Sequence, residues 1–319
     1  MKDGTKIALL VAGILLLLGV GAMTGGMGAA GFDFGSLGTA ETVTRTAEIR
    51  EPFTDISLNG THCETVLRPA TDGVCRVVFT GEEKLLFRAS AESGTLTVSV
   101  KEGRKWYEKI RILTFSDELT VYLPEREYGS LKAELTSGAL EIPEDFTFSV
   151  LTVQNVSGAV KIAASADQLN VHTTSGAIAM DGVRAKQAEI GSTSGSIRLS
   201  EVTAEESMTA ETESGGITLE KGSAQEISVT STSGSVRLSE VTAEGTLSAK
   251  TTSGSIWLDG GRAQKTEITS SSGSVSGTVT GEYLYDVRTS SGSISVPESG
   301  GSRLFRVTTS SGSVRIEQK

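Results

Sequence analysis

From Leu131 to Lys319 one phrase returns about every twenty residues: Ser-Gly, a small residue, a β-branched residue or Leu, any residue, and usually another aliphatic. SGALEI, SGSIRL, SGSVRL and SGSIWL are typical copies. Their glycines are Gly138, Gly158, Gly176, Gly195, Gly215, Gly234, Gly254, Gly273, Gly292 and Gly312, separated by 18 to 20 residues. A fixed period of this length marks a stacked-repeat architecture, in which each unit buries its apolar side only against its neighbours.

Within a period the alternation is that of strands, not helices. Two residues after each glycine stands an aliphatic, from Leu140 and Val160 to Ile294 and Val314, and four residues after comes another, from Ile142 to Ile316, with Gly277 the exception. A second strand precedes the glycine: five residues before it stand Val171, Ile190, Ala210, Val229, Ala249, Ile268, Val287 and Val307, with polar neighbours such as Glu189, Glu211, Lys250 and Arg306. Each rung therefore has at least two strands with one face in and one face out. The reading is an all-β solenoid, parallel β-helix-like, of about ten rungs. The glycine is expected at a sharp corner with φ > 0, where a Cβ would clash. The TTS, STS and SSS triplets beside it are expected to form hydroxyl ladders along the stack.

This architecture accounts for an aromatic content of 5% in a 319-residue chain. A coil of short strands has a narrow interior, filled by Val, Ile, Leu and Ala without large rings. The regular inward aliphatics separate the Ser/Thr/Gly-rich segment from a disordered tract, which lacks them.

Residues 47–130 are β-rich but irregular and read as a cap over the first rung, as a solenoid end requires. They hold larger apolar side chains, among them Phe53, Phe79, Phe87, Trp106, Phe115 and Tyr122, and SGTLTV at Ser93 looks like a degenerate repeat. The tenth repeat, SGSVRIEQK, is expected to be the open final rung, with backbone groups available to another strand or to an end-to-end dimer.

Residues 7–23, IALLVAGILLLLGVGAM, carry no charge and follow Lys2 and Lys6. That length is at the lower limit for a membrane span, and the basic flank places residues 1–6 in the cytoplasm and the remainder outside. A cleaved signal peptide is the alternative, with Gly19, Gly21 and Ala22 as small residues for processing. Residues 24–46 read as a Gly-rich flexible linker. In an oxidising exterior Cys63 and Cys75, which flank the turn-forming stretch Arg68-Pro69-Ala70-Thr71-Asp72-Gly73, could form a disulfide between neighbouring strands. A pair of free thiols is the other possibility.

Composition narrows the chemistry. A net charge of −10 without a basic cluster argues against nucleic acid as a partner. His62 and His172 are too few and too far apart in sequence for a multi-histidine metal site. No Gly-Gly-x-Gly-x-Asp turn for calcium occurs, and no cofactor is expected. Polysaccharide-cleaving β-helices need converging acids. Three residues after each glycine, however, the outward row reads Glu141, Lys161, Ala179, Arg198, Thr218, Arg237, Trp257, Ser276, Ser295 and Arg315, without paired acids. No catalytic residue is assigned. Trp257, with Arg198 and Arg237 in the same row, is the candidate surface contact for a sugar or peptide. A lone surface aromatic equally needs no explanation. Lys105-Trp106-Tyr107 is assigned to packing within the cap.

The stretch ELTVYLPEREYGSLKAELTSGALEIPEDFTFSVLTVQNVSGAVKI resembles the candidate-adhesin β-strand-repeat family, domain of unknown function 4097, which includes LiaG-like envelope proteins. The similarity runs from about Glu48 to Lys319 and is most specific at the Leu-Pro-terminated strand Leu119–Pro124 and the Ser-Gly strands after it. It implies a β-helical ectodomain at a bacterial cell envelope, often behind one membrane anchor, and brings no catalytic residue set. The expected function is a non-enzymatic scaffold or interaction surface for an envelope protein or cell-wall glycan. An adhesin and an accessory to envelope-stress signalling are the other readings.

Overall fold

The computed structural model of the chain describes residues 42–60, 62–103 and 117–319. The apolar segment 7–23, most of the expected linker, and Trp106, Tyr107 and Phe115 lie outside the described residues. Those described form 27 strands and no helix.

The repeats build two strands per rung. Long strands are β8 (Glu127–Ser137), β10 (Thr147–Ser157), β12 (Ser165–Thr173), β14 (Arg184–Ser192), β16 (Thr203–Thr212), β18 (Ser223–Ser231), β20 (Thr242–Thr251), β22 (Arg262–Ser270), β24 (Tyr283–Thr289) and β26 (Arg303–Thr309). Each is followed by a short strand: β9 (Leu140–Ile142), β11 (Val160–Ile162), β13 (Ile178–Asp181), β15 (Ile197–Ser200), β17 (Ile217–Glu220), β19 (Val236–Ser239), β21 (Ile256–Asp259), β23 (Val275–Val279), β25 (Ile294–Ser295) and β27 (Val314–Gln318). Long strands pair in parallel with long strands and short with short, giving two sheets of 13 and 14 strands that face each other. The aliphatics named above, Ile197, Leu199, Ile217, Leu219, Val229 and Val236 among them, fill the space between. At ~4.8 Å per strand each sheet runs ~60 Å along the solenoid axis.

The corner glycines are needed for a different reason from the one expected. Only Gly138, Gly158 and Gly292 among the ten have positive φ. Instead, a Cβ on Gly195, Gly215, Gly234, Gly254 or Gly273 would lie under 3.0 Å from the carbonyl oxygen of the glycine one rung before. The backbones stack so closely that no side chain fits between them. Left-handed residues occupy the opposite corner, after the short strands β13 to β21: Gly182 (φ 67°), Glu201 (52°), Lys221 (51°), Glu240 (53°) and Gly260 (72°) succeed one another along the stack.

The hydroxyl ladder is also arranged differently. Only the first residue of each triplet turns inward: Thr173, Ser192, Thr212, Ser231, Thr251, Ser270 and Thr309 are buried. Ser231 Oγ accepts the N–H of Gly234 at 2.8 Å and donates to the carbonyl of Gly215 at 3.0 Å. Thr212 and Thr251 do the same for their own and the preceding glycine. The spine thus satisfies backbone groups that the tight corner would otherwise leave buried and unpaired. Thr173 to Ser192 is a hydroxyl-to-hydroxyl bond, at 3.0 Å.

The cap consists of β1 (Thr42–Ile49), β2 (Asp55–Gly60), β3 (Cys63–Pro69), β4 (Cys75–Glu82), β5 (Leu86–Glu92), β6 (Thr95–Lys101) and β7 (Asp117–Leu123). β1 begins five residues inside the segment assigned to the linker. β2 and β3 stack on β8 and β9, while β6 and β7, later in the chain, lie outside them. Antiparallel β5, β4 and β1 close this end. The SGTLTV stretch is no solenoid corner. Ser93 (φ 51°) and Gly94 (φ 83°) form the two-residue turn of the β5–β6 hairpin. The buried aromatic side chains concentrate towards the two ends of the rod: Phe53, Phe79, Tyr128, Phe146 and Phe148 at the cap, Tyr283 and Phe305 at the far end.

The far end departs most from the sequence order. The tenth repeat is not the open rung: β26 lies between β22 and β24, and β27 between β23 and β25, so the last repeat sits inside the ninth. Gly312 accordingly stacks on Gly273, and Gly292 on Gly312. The reason lies in the side chains. The tenth repeat supplies Phe305, Val307, Val314 and Ile316, all buried. The ninth has its short strand cut to two residues ahead of Pro297, and Ile294 is 46% exposed. The better-filled rung takes the interior position.

Candidate functional site

The paired strands convert the sequence rows into straight columns. On the short-strand face Lys161, Ala179, Arg198, Thr218, Arg237, Trp257, Ser276 and Arg315 follow one another in register. Arg237 and Trp257 are on adjacent rungs, and the guanidinium lies 5.0 Å from the centre of the indole, within cation–π range. Arg198 is two rungs from Arg237 and takes no part in that pair. Trp257 is 38% exposed, so the indole is held by Arg237 without being buried.

Along the adjoining corner the charges pair across rungs. Lys221 Nζ reaches Glu201 Oε1 at 2.8 Å, and this hydrogen bond and ion pair hold the Glu201 carboxyl below its usual range and the Lys221 ammonium above its own. Both are exposed, so the pair adds little stability.

The long-strand face is broader. Its outward columns are polar: Asn170, Glu189, Thr209, Ser228, Ser248 and Glu267 in one, His172, Gly191, Glu211, Thr230 and Lys250 in the next. Shallow depressions run along it across successive rungs. One is lined by Gly191 and His172, and the imidazole packs so closely over the bare glycine that a Cβ there would lie 2.5 Å from its Nδ1. Sequence reasoning assigned Gly191 no role. An isolated glycine inside a strand pattern, which often marks a close approach or an opening, was the available signal.

The two cysteines are not a disulfide: both are free and buried. β7 is inserted between β3 and β4, with Cys63 opposite Asp117 at one end of it and Arg76, next to Cys75, opposite Tyr122 near the other. They are thus two strands apart and ~20 Å apart along them, against a Cα separation of at most ~6.8 Å in a bridge. Burial, reinforced by the Asp117 carboxylate, pushes the Cys63 thiol up to about 12. Burial pushes Cys75 up to about 11 against the opposing pull of Arg126. Neither is a nucleophile at neutral pH.

No group of three His, Cys, Asp or Glu side chains placed to hold a metal ion occurs among the described residues. His62 bonds Ser137 Oγ at 2.6 Å through Nδ1, and Ser137 lies on β8, two rungs from His172 on β12.

The family model described as Toastrack DUF4097 matches residues 53–317. No curated protein matches the sequence. Among solved structures, a candidate adhesin from Parabacteroides distasonis is similar at 13% identity, over 88% of this chain and 98% of that one, with a TM-score of 0.49. A protein described as a candidate lipid-binding protein from the same organism aligns at 17% identity over 87% and 97%, with a TM-score of 0.47. A candidate adhesin from Bacteroides fragilis aligns at 14% over 88% and 98%, with a TM-score of 0.39. With the family model spanning the solenoid and the cap from β2 onward, the chain belongs to the Toastrack DUF4097 family.

Proposed function

We propose that this chain is a non-enzymatic, membrane-anchored cell-envelope protein whose solenoid serves outside the cell as a scaffold or interaction surface. In this reading residues 7–23 span the membrane and residues 1–6 stay in the cytoplasm. The observation that carries it is the distribution of side chains on the rod. Outward side chains stand in register in long columns in which titratable groups are interspersed with neutral ones, whereas a reaction needs titratable groups convergent on one atom. A column repeats a weak polar contact every ~4.8 Å, an arrangement suited to an extended partner that gains affinity by engaging several rungs at once. Protease treatment of intact cells tests the placement. Digestion of the solenoid on whole cells supports it, and resistance that disappears on lysis overturns it. A pull-down from the envelope fraction with the full chain as bait identifies the partner.

The Arg237–Trp257 pair favours a second reading, a glycan-binding or adhesin module. An indole fixed on a flat face stacks well on a sugar ring. On this reading the protein retains cell-wall polymer and Trp257→Ala weakens retention. Equal retention by both proteins counts against it.

A further inference from the structure

We propose that the chain self-associates through the outer edge of β24, two copies pairing antiparallel about a two-fold axis at Val287. β24 is the edge of the 13-stranded sheet and pairs only with β26. In a parallel ladder alternate residues direct both N–H and C=O to the same side. Tyr285 N–H donates to Ser299 Oγ at 3.1 Å, and Tyr283 C=O accepts from Gly300 N–H at 3.2 Å. Ser299 and Gly300 belong to the crossover between β25 and β26, so Tyr283, Tyr285, Val287 and Thr289 face away from β26. The crossover covers the first half of the edge. The second half, Tyr285 C=O, Val287 N–H and C=O and Thr289 N–H, has no partner among the described residues.

That open set is self-complementary. Pairing centred on Val287 joins Val287 N–H to Val287 C=O in both directions and Thr289 N–H to Tyr285 C=O in both directions, four hydrogen bonds that use each open group once. The same register sets Asp286 of each copy opposite Arg288 of the other, so charge selects it. Moving the two-fold axis one residue either way, a slide of two residues between the strands, puts Arg288 opposite Arg288 or Asp286 opposite Asp286, which is repulsive. Two of the five large apolar side chains exposed among the described residues, Leu284 (53%) and Ile294 (46%), lie in this outermost rung. An open edge with an apolar margin is a template for another strand. Pairing here would extend one sheet through both copies and run the solenoids end to end, with their capped ends ~120 Å apart. That geometry joins two separate surfaces rather than neighbours on one.

The test is the protein mass of the detergent-purified full chain by light scattering over a wide concentration range. The expected result is a doubling of the 33.3 kDa chain mass. Val287→Pro removes an outward N–H that no strand within the chain uses, a substitution that edge strands accommodate. It is expected to return the mass to that of the monomer with an unchanged circular dichroism spectrum. Arg288→Asp, which sets acid opposite acid, is expected to do the same by a change that does not touch the backbone. A monomer at every concentration overturns the proposal, whether the edge stays open or receives a strand from another protein. A dimer that survives both substitutions overturns it equally.

Discussion

Gly234 lies directly over Gly215, its Cα so close to the Gly215 carbonyl that a Cβ would fall under 3.0 Å from that oxygen and from the following amide nitrogen. Backbone cannot yield as a flexible side chain would. Gly234→Ala is therefore expected to destabilise the solenoid by about 3 kcal/mol or more, within the range of severe steric insertions. Ser235→Val, at the exposed next position, should shift stability by no more than about 0.5 kcal/mol. Urea unfolding of the two variants decides between this stacking and a corner in which glycine is dispensable.

The opposite corner predicts the reverse sign. Glu240 has φ 53°, a conformation that costs a non-glycine residue about 1 kcal/mol. Part of that is offset by the greater chain entropy of an unfolded glycine. Glu240→Gly is expected to stabilise the protein by about 0.5 kcal/mol, measured as a higher urea midpoint with an unchanged slope.

Ser231 holds two backbone groups of the Gly234 and Gly215 corners at once. Ser231→Ala should cost about 1–3 kcal/mol, the penalty for leaving buried groups unpaired. Ser233→Ala, exposed on the same corner, should be close to neutral. Equal melting of the two variants would show that the spine is not needed.

Cys63 and Cys75 should remain unreactive toward a disulfide-exchange reagent in the native protein and react only on unfolding, and reductant should leave the melting temperature unchanged. Their thiols are raised above the ordinary value of 9.0 by burial. The neutral form is favoured in the folded state, so their contribution to stability is fully present below pH ~9 and declines as pH rises from there towards 11 and 12. Stability that instead increased over that alkaline interval would overturn the burial of these groups.

Much of this architecture was legible in the residues. The period, the inward aliphatics at two and four residues after each glycine, and the preceding long strand all follow from local alternation, which the two sheets reproduce. The outward column through Arg198, Arg237 and Trp257 was legible for the same reason, since parallel stacking keeps equivalent residues in line. The Arg237–Trp257 contact needed the rung spacing, and the packing of the His172 ring over Gly191 needed the pairing of β12 with β14.

What the sequence by itself determined is the rung: its length, its two faces and the small volume of its interior, all properties of twenty consecutive residues. Which rung neighbours which was decided only in the tertiary structure. β7 enters between β3 and β4 and separates two cysteines only twelve residues apart, and the tenth repeat displaces the ninth from the stack. Every rung offers the same backbone hydrogen bonds to any other, so local pattern does not distinguish the orders. The difference comes from how well each rung fills the shared core, and that places Phe305, Val307 and Ile316 inside while Leu284, Asp286 and Arg288 remain at the exposed edge.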